Sequence, residues 1–242
     1  MTVIAGLRAI EETIQSGRKD AVLYVSSTNK RLTNIIALAR KKNVEVIHVS
    51  ERDLSAKAGG QSHRGAVIEL PSPRKTGGIR EYIQNLQSET ALVVVLDGIT
   101  DPHNFGAIIR SADQFNADCV IISERRAAPV TPVVVAASAG ASNYVRILQV
   151  SNLTRALNDL KEAGFWIFGA DMTGRNVHEC SFKGRAVLVL GSEGRGLSSL
   201  IKKTCDELAR IPTSGHIDSL NVSVAAGIFL YEMRKQQAVD SL

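Results

Sequence analysis

Two hydrophobic periods alternate along the chain. Apolar runs of strand length stand at AVLYV (21–25), VEVIHV (44–49), GAVIEL (65–70), ALVVVL (91–96), FWIFGA (165–170) and AVLVLG (186–191). Between them apolar residues recur three and four apart. Leu7, Ile10 and Ile14 do so in the helix predicted over Gly6–Gln15, and Leu32, Ile35, Ile36 and Ala39 in that over Leu32–Arg40. Strand and helix in alternation predict an α/β fold. ALVVVL and AVLVLG hold no polar side chain, the pattern of strands covered on both faces, and so predict a parallel sheet.

PSPRKTGG (71–78) breaks the pattern, because prolines and glycines flank a basic pair with nothing to bury. It divides the chain into a small α/β domain (1–70), a linker (71–80) and a larger domain (81–242). The small domain also carries a short helix, Asp53–Ala58, and a polar loop, Gly59–Gly65. In the larger domain helices are predicted near Ile79–Gln87, over the small apolar run 131–142 and over Asn152–Glu162. Strands are predicted at Cys119–Ser123 and Tyr144–Leu148, and a polar excursion at Arg175–Lys183.

The last apolar stretch, IPTSGHIDSLNVSVAAGIFLY (211–231), reads as a strand end, a glycine-bearing loop and a helix. Asp218 and Ser219 are the N-cap candidates. Neither Pro nor charge interrupts the next ten residues, which predicts a helix buried nearly all round. Ser219 and Asn221 are left as polar groups at its mouth, where backbone N–H groups point outward.

At 242 residues and 44% hydrophobic, the chain can fill one large or two small cores. No run approaches a membrane span, and Arg8, Glu11 and Glu12 interrupt any leader-like start. Cys119, Cys180 and Cys205 have neither metal-ligand spacing nor an obvious pairing, so small core residues in a reducing cytoplasm, and no metal, are expected. Charge changes the picture more. Residues 1–80 hold 14 basic and 7 acidic side chains, the remainder 15 and 17. A basic front half suggests a nucleic-acid-holding module; a merely solvated surface is the plainer alternative.

Candidate chemistry lies where loops follow buried strands, since ligands bind at the C-terminal ends of parallel strands. After ALVVVL comes DGITDPHNFG (97–106), then a helix whose predicted core face is Ala107, Ile108, Ala112 and Phe115. Asn104 and Arg110 are read as lying within about 40° of one face of that helix. Arg110 is unexpected in so apolar a segment; an acid such as Asp113 or a ligand anion would explain it. After AVLVLG comes SEGRGL (192–197). Its G-x-x-G-x-G spacing is wrong for a dinucleotide turn, but it offers backbone amides and one carboxylate, Glu193. The loop at 59–65 holds His63 and Arg64, either a grip on RNA or a plain connection.

DPHNFGAIIR (101–110), LGSEGRGL (190–197) and IPTSGHIDSLNVSVA (211–225), in this order, resemble the three motifs of the SpoU-TrmH family of RNA ribose 2′-O-methyltransferases, in the SPOUT class. The resemblance covers about the last 150 residues, and residues 1–70 resemble the family's ribosomal-protein-like substrate-binding domain. It implies a trefoil-knotted parallel-sheet catalytic domain, S-adenosyl-L-methionine as cofactor and a homodimer formed through helices, with no membrane and no DNA partner. The implied reaction is methylation of a ribose 2′-hydroxyl, as on a guanosine of the peptidyl-transferase loop of large-subunit ribosomal RNA. A transfer-RNA substrate, or a silent ribosome-assembly protein, are the alternatives. The resemblance further implies Gly191, Gly196, Ile211 and Leu220 at the cofactor, Asn104, Arg110, Glu193, Ser219 and Asn221 at the reacting site, and His63 and Arg64 near RNA. Arg64 departs from the Gln of many relatives. Methyl transfer needs sulfur, methyl and oxygen aligned and a weakly acidic hydroxyl managed. Guanidinium groups keep their charge in proteins, so Arg110 is expected to stabilise the forming alkoxide or hold a phosphate rather than act as a base. Glu193 is expected to order its loop or to bond Asn104.

Overall fold

The strands pair as their burial patterns require. The computed structural model describes residues 2–15, 17, 21–26, 30–60, 62–70, 78–124, 127, 131–216 and 219–239. They form two compact units, Met1–Lys75 with Val130–Tyr144, and Thr76–Pro129 with Val145–Leu242.

The first unit runs β1 (Thr2–Ala5), α1 (Leu7–Gln15), β2 (Val22–Val25), α2 (Lys30–Lys41), β3 (Glu45–His48), α3 (Glu51–Ala58) and β4 (Ala66–Leu70). The sheet order is β1-β4-β2-β3, parallel only between β2 and β3. Ile10 and Ile14 of α1 and Leu32 and Ile35 of α2 pack with Ile4, Leu23 and Ile68 of the strands. Leu54 and Ala58 of α3 make a smaller cluster with Val67.

The second unit begins with α4 (Ile79–Gln84), β5 (Ala91–Asp97), α5 (Pro102–Gln114) and β6 (Cys119–Ser123). The chain then supplies α6 (Pro132–Ala137) to the first unit, where Val135 joins the main core. The helix expected over 131–142 is thus half as long. Ala139 and Gly140 take φ of 51° and 87°, which a helix cannot contain, and the chain turns through a 3-10 turn at Ala141–Asn143. The turn is tied down by Asn143 Nδ2, which donates to Thr13 Oγ1 at 3.2 Å. The second unit resumes with β7 (Arg146–Val150), α7 (Leu153–Glu162), β8 (Trp166–Asn176), β9 (Arg185–Gly191), α8 (Ser199–Thr204), β10 (Glu207–Arg210) and α9 (Val222–Val239). The segment expected as a polar excursion is in part the end of β8.

Its six strands lie in the order β10-β8-β9-β5-β6-β7, and every pairing is parallel. Leu92 to Leu96 and Val187 to Val189 are fully buried. Each such side chain contributes about 1.5–3 kcal/mol by leaving water. From β5 the chain moves one way, to β6 and β7, and then returns past β5 to build β8, β9 and β10. The direction therefore reverses beside β5 and β9, whose ends meet at Asp97 and Gly191. Such a reversal leaves a crevice outside the strands' C-terminal ends.

Among the described residues no helix is long and apolar enough to cross a membrane. The three cysteines are free; Cys119 and Cys180 are buried and Cys205 is half-buried. Burial pushes the Cys180 and Cys205 thiols up to about 11, so all stay protonated packing groups at neutral pH.

Candidate functional site

The crevice holds a cavity of about 520 Å³, walled by the ends of β8, β9 and β10 and the start of α9. That is the size of a small-ligand pocket.

Its floor is the glycine turn after β9. Ser192 and Gly196 exchange backbone hydrogen bonds of 3.1 and 2.9 Å, folding the turn back onto its own strand. A Cβ on Gly191 would stand 2.1 Å from the Gly196 carbonyl carbon, so only glycine admits this closure. Backbone groups are therefore bare along the floor. Beyond the turn, Ser198 N donates to Asp97 Oδ2 at 2.8 Å, fastening the turn to the end of β5.

The polar corner is built by two helix starts. Asp101 caps α5, its carboxylate accepting from His103 N and Asn104 N at 3.1 and 3.2 Å, with Pro102 opening the helix. This is why Asp-Pro precedes the asparagine: it fixes the first turn and aims Asn104. Asn221 caps α9, its Oδ1 accepting from Ser223 N at 2.9 Å and Val224 N at 3.3 Å. Asn221 therefore holds the position expected for Asp218 or Ser219. Asp218 lies outside the described residues, and Ser219 stands in the coil before the helix. The carboxamides of both asparagines converge on Glu193. Asn104 Nδ2 donates to Glu193 Oε1 at 3.0 Å, Asn221 Nδ2 to the same oxygen at 2.8 Å and to Asn104 Oδ1 at 3.0 Å.

Gly191, Gly196, Ile211, Ser219, Leu220, Glu193 and Asn221 all line the cavity, and Asn104 joins them through these bonds. Arg110 does not. Six residues at 100° each put it 120° around α5 from Asn104, not within 40°. Accordingly Asn104 is buried and Arg110 exposed, the Arg110 side chain making no hydrogen bond or ion pair to another described residue, Asp113 included. The buried face of α5 is Asn104, Phe105, Ile108, Ile109 and Ala112, shifted from the expected face because Ala107 and Phe115 are only half-buried.

α9 also departs from expectation. Ala226, Phe229, Leu230 and Met233 are buried, but Val224, Ile228 and Tyr231 are 51%, 37% and 57% exposed. The helix packs on α5, where Arg234 Nε donates to Phe115 O at 2.8 Å and Tyr231 meets Phe115 edge-on.

Sequence reasoning missed one wall of the cavity, Ala170, Asp171 and Met172. The signal was present as ADMTG, polar residues and a glycine where a buried strand should continue.

In the first unit His63 is held rather than presented. Its Nδ1 accepts from Gly65 N at 3.2 Å and its Nε2 lies 3.1 Å from Ser55 Oγ. Arg64 beside it is exposed with φ of 47°, an unusual conformation for a residue with a Cβ.

Residues 91–231 match the SpoU rRNA Methylase family, and residues 3–76 match the RNA 2′-O ribose methyltransferase substrate-binding family. A 23S rRNA (guanosine-2′-O-)-methyltransferase, RlmB, of Neisseria meningitidis is 36% identical over 96% of this chain and 89% of its own length. An uncharacterized tRNA/rRNA methyltransferase of Borreliella burgdorferi is 38% identical over 82% of this chain and 91% of its own. Among solved structures, the SpoU methyltransferase AviRb of Streptomyces viridochromogenes, in complex with AdoMet, superposes with a TM-score of 0.78 at 26% identity, covering 97% of this chain and 89% of that one. With its motifs gathered around one cavity and the family match spanning residues 91–231, this chain belongs to the SpoU rRNA methylase family.

Proposed function

We propose that this chain transfers a methyl group from S-adenosyl-L-methionine to a ribose 2′-hydroxyl of ribosomal RNA, on a guanosine of the large-subunit peptidyl-transferase loop. The observation that carries the reading is the Asn104–Glu193–Asn221 network beside a cavity floored by bare backbone. A relative named as a 23S rRNA (guanosine-2′-O-)-methyltransferase, similar over 96% of the chain, supports a guanosine of large-subunit ribosomal RNA as substrate.

The cavity suits the cofactor. Leu190, Ile211 and Phe229 offer apolar walls for a purine, and the glycine turn offers amides and carbonyls for its edge. When bound, the cofactor supplies a methyl group already activated on a sulfonium. The protein's work is then alignment and charge. Gly191, Gly196, Ile211 and Leu220 hold the cofactor largely through backbone. Glu193, fixed by two carboxamides, presents a carboxylate of set direction. Ser219 and Asn221 border the space left for the ribose. Arg110 stabilises the charge growing on the ribose oxygen, or clamps the neighbouring phosphate, without giving up its own proton.

A homodimer is part of the reading, supported by the exposed Val224, Ile228 and Tyr231 on α9. Since α5 packs on α9, Arg110 then stands at the subunit contact rather than in its own chain's cavity. We also infer the trefoil knot. Its support is a chain that runs out to edge strand β10 and returns past the β9 turn to pack α9 on α5. The basic first unit would hold RNA by its phosphates, with Arg64 exposed for contact and His63 shaping the loop. The setting is the cytoplasm, where ribosomal RNA is made and assembled.

The test is transfer of tritiated methyl to unmodified large-subunit ribosomal RNA and, separately, transfer RNA, with the modified position mapped. Label on a ribosomal guanosine ribose is expected. Label on transfer RNA alone would move the chain to that substrate. No cofactor binding would leave a silent RNA-binding protein.

A further inference from the structure

The wall at 170–174 is an interruption of the sheet. Leu208 of β10 pairs with Gly169, but the next residue, Ala209, pairs with Arg175, and pairing of β8 to β9 ends at Gly169. Residues 170–174 thus leave both ladders, and Ala170, Asp171 and Met172 face the cavity. A segment without ladder bonds needs another restraint to keep one position. Two are visible. Gly174 lies so close to Leu208 that a Cβ there would stand 2.3 Å from its backbone. The second is Lys202 of α8, whose ammonium lies 2.8 Å from Asp171 Oδ2 and 3.2 Å from Thr173 Oγ1. The other carboxylate oxygen of Asp171 accepts from Thr173 N and Oγ1 at 2.9 and 2.6 Å. The loop therefore closes on itself and is then pinned by one lysine.

α8 is also the first element after the glycine turn, which is fastened to β5 at Ser198. Lys202 consequently stands between two parts of the cavity lining, turn and loop, while not lining the cavity itself.

We infer that Lys202 is a positioning residue for the cofactor: acting through Asp171 and Thr173, it sets the distance between the 170–174 wall and the glycine turn. The inference rests on the proposed cofactor. A preorganised wall binds more tightly because less is ordered when the ligand arrives.

Full-length protein is titrated calorimetrically with S-adenosyl-L-methionine as wild type, Lys202→Met, Asp171→Ala and the double variant, with unfolding temperature measured alongside. Lys202→Met keeps the aliphatic stem and removes the charge. Its dissociation constant is expected to rise about three- to tenfold, with the loss in turnover appearing in KM for the cofactor rather than in kcat. The double variant is expected to lose less than the sum of the two single penalties, because Lys202 acts largely through Asp171. Wild-type binding with Lys202→Met within twofold of it overturns the inference, as do fully additive penalties in the double variant. Absence of wild-type binding overturns the cofactor reading instead.

Discussion

Asn104 and Asn221 stand 117 residues apart in the chain and share a 3.0 Å bond between their carboxamides. Asn104 lies in the first turn of α5 and Asn221 caps α9, and neither carboxamide has freedom left. Asn221 Oδ1 is committed to Ser223 N and Val224 N, so its NH₂ must turn toward Glu193 and Asn104. The network is thus oriented by backbone, which ties the geometry of the site to the stability of α9.

Asn221→Ala should therefore weaken the fold and the site together. Loss of the cap costs about 1–2 kcal/mol, lowering the unfolding temperature by about 2–8 °C in a chain of this size. Glu193→Gln should behave differently, because an amide oxygen still accepts from both asparagines; cofactor affinity should stay within about threefold. Glu193→Ala leaves both carboxamides without that acceptor and should cost about tenfold or more. Calorimetric titration of the three variants separates these outcomes.

Two glycines give opposite expectations for one substitution. At Gly191 an added methyl meets the backbone of Gly196 and Leu197 at 2.1–2.3 Å, and backbone cannot step aside. Gly191→Ala should lose cofactor binding and more than about 2 kcal/mol of stability. At Gly227, inside α9, the nearest atom is Ser111 Oγ at 3.8 Å, ordinary contact. Gly227→Ala should raise stability by about 0.5–1 kcal/mol, read from urea unfolding midpoints.

The Asp171 pair predicts a pH dependence. Burial opposes ionisation of Asp171, but the bonds from Lys202 and Thr173 outweigh it and hold the carboxyl below the usual aspartate value. A depressed folded value gives stabilisation that is present above the unfolded value, about 3.9, and is lost as pH falls through the folded one. Asp171→Asn should thus be less stable than wild type at pH 7, by about 1 kcal/mol or less for a partly exposed pair. The gap should narrow as pH falls below about 4 and close only below the folded value. A gap that does not narrow at all as pH is lowered would show that the charge is not its source.

Arg110 lies outside the cavity, so its loss should spare cofactor binding. Arg110→Lys keeps the charge and removes the planar fork. Turnover should fall by about tenfold or more, with the cofactor dissociation constant unchanged. Near-normal turnover would sink the role given to the fork.

Much of this was legible in the chain. ALVVVL and AVLVLG announced the parallel sheet because burial on both faces leaves no room for polar positions. Asn104 and Glu193 stood out in the chain as polar side chains in the segments after buried strands, and Asn221 as one at the mouth of an apolar helix; the structure brings the three together. Three things were not legible. The direction of Arg110 is a matter of helical angle, and six residues bring a side chain to a different face. The exposed stripe of α9 was invisible because composition measures how apolar a helix is, not which neighbours cover it. The wall at 170–174 was hidden because a register jump belongs to two strands at once, Gly169 to Arg175 against Leu208 and Ala209.

The first unit takes Val130–Tyr144 as well as Met1–Lys75, and Val135 fills part of its core. During synthesis this makes the amino-terminal unit a late finisher. Its first 75 residues leave the ribosome lacking a core side chain and the Asn143 carboxamide that donates to Thr13, and both arrive only once residues 76–144 have been made. At about 5–20 residues per second that is a wait of roughly 3–14 s. In the interval the nascent unit exposes an apolar socket, and a chain stalled before residue 130 should stay protease-sensitive where one stalled well past residue 144 does not.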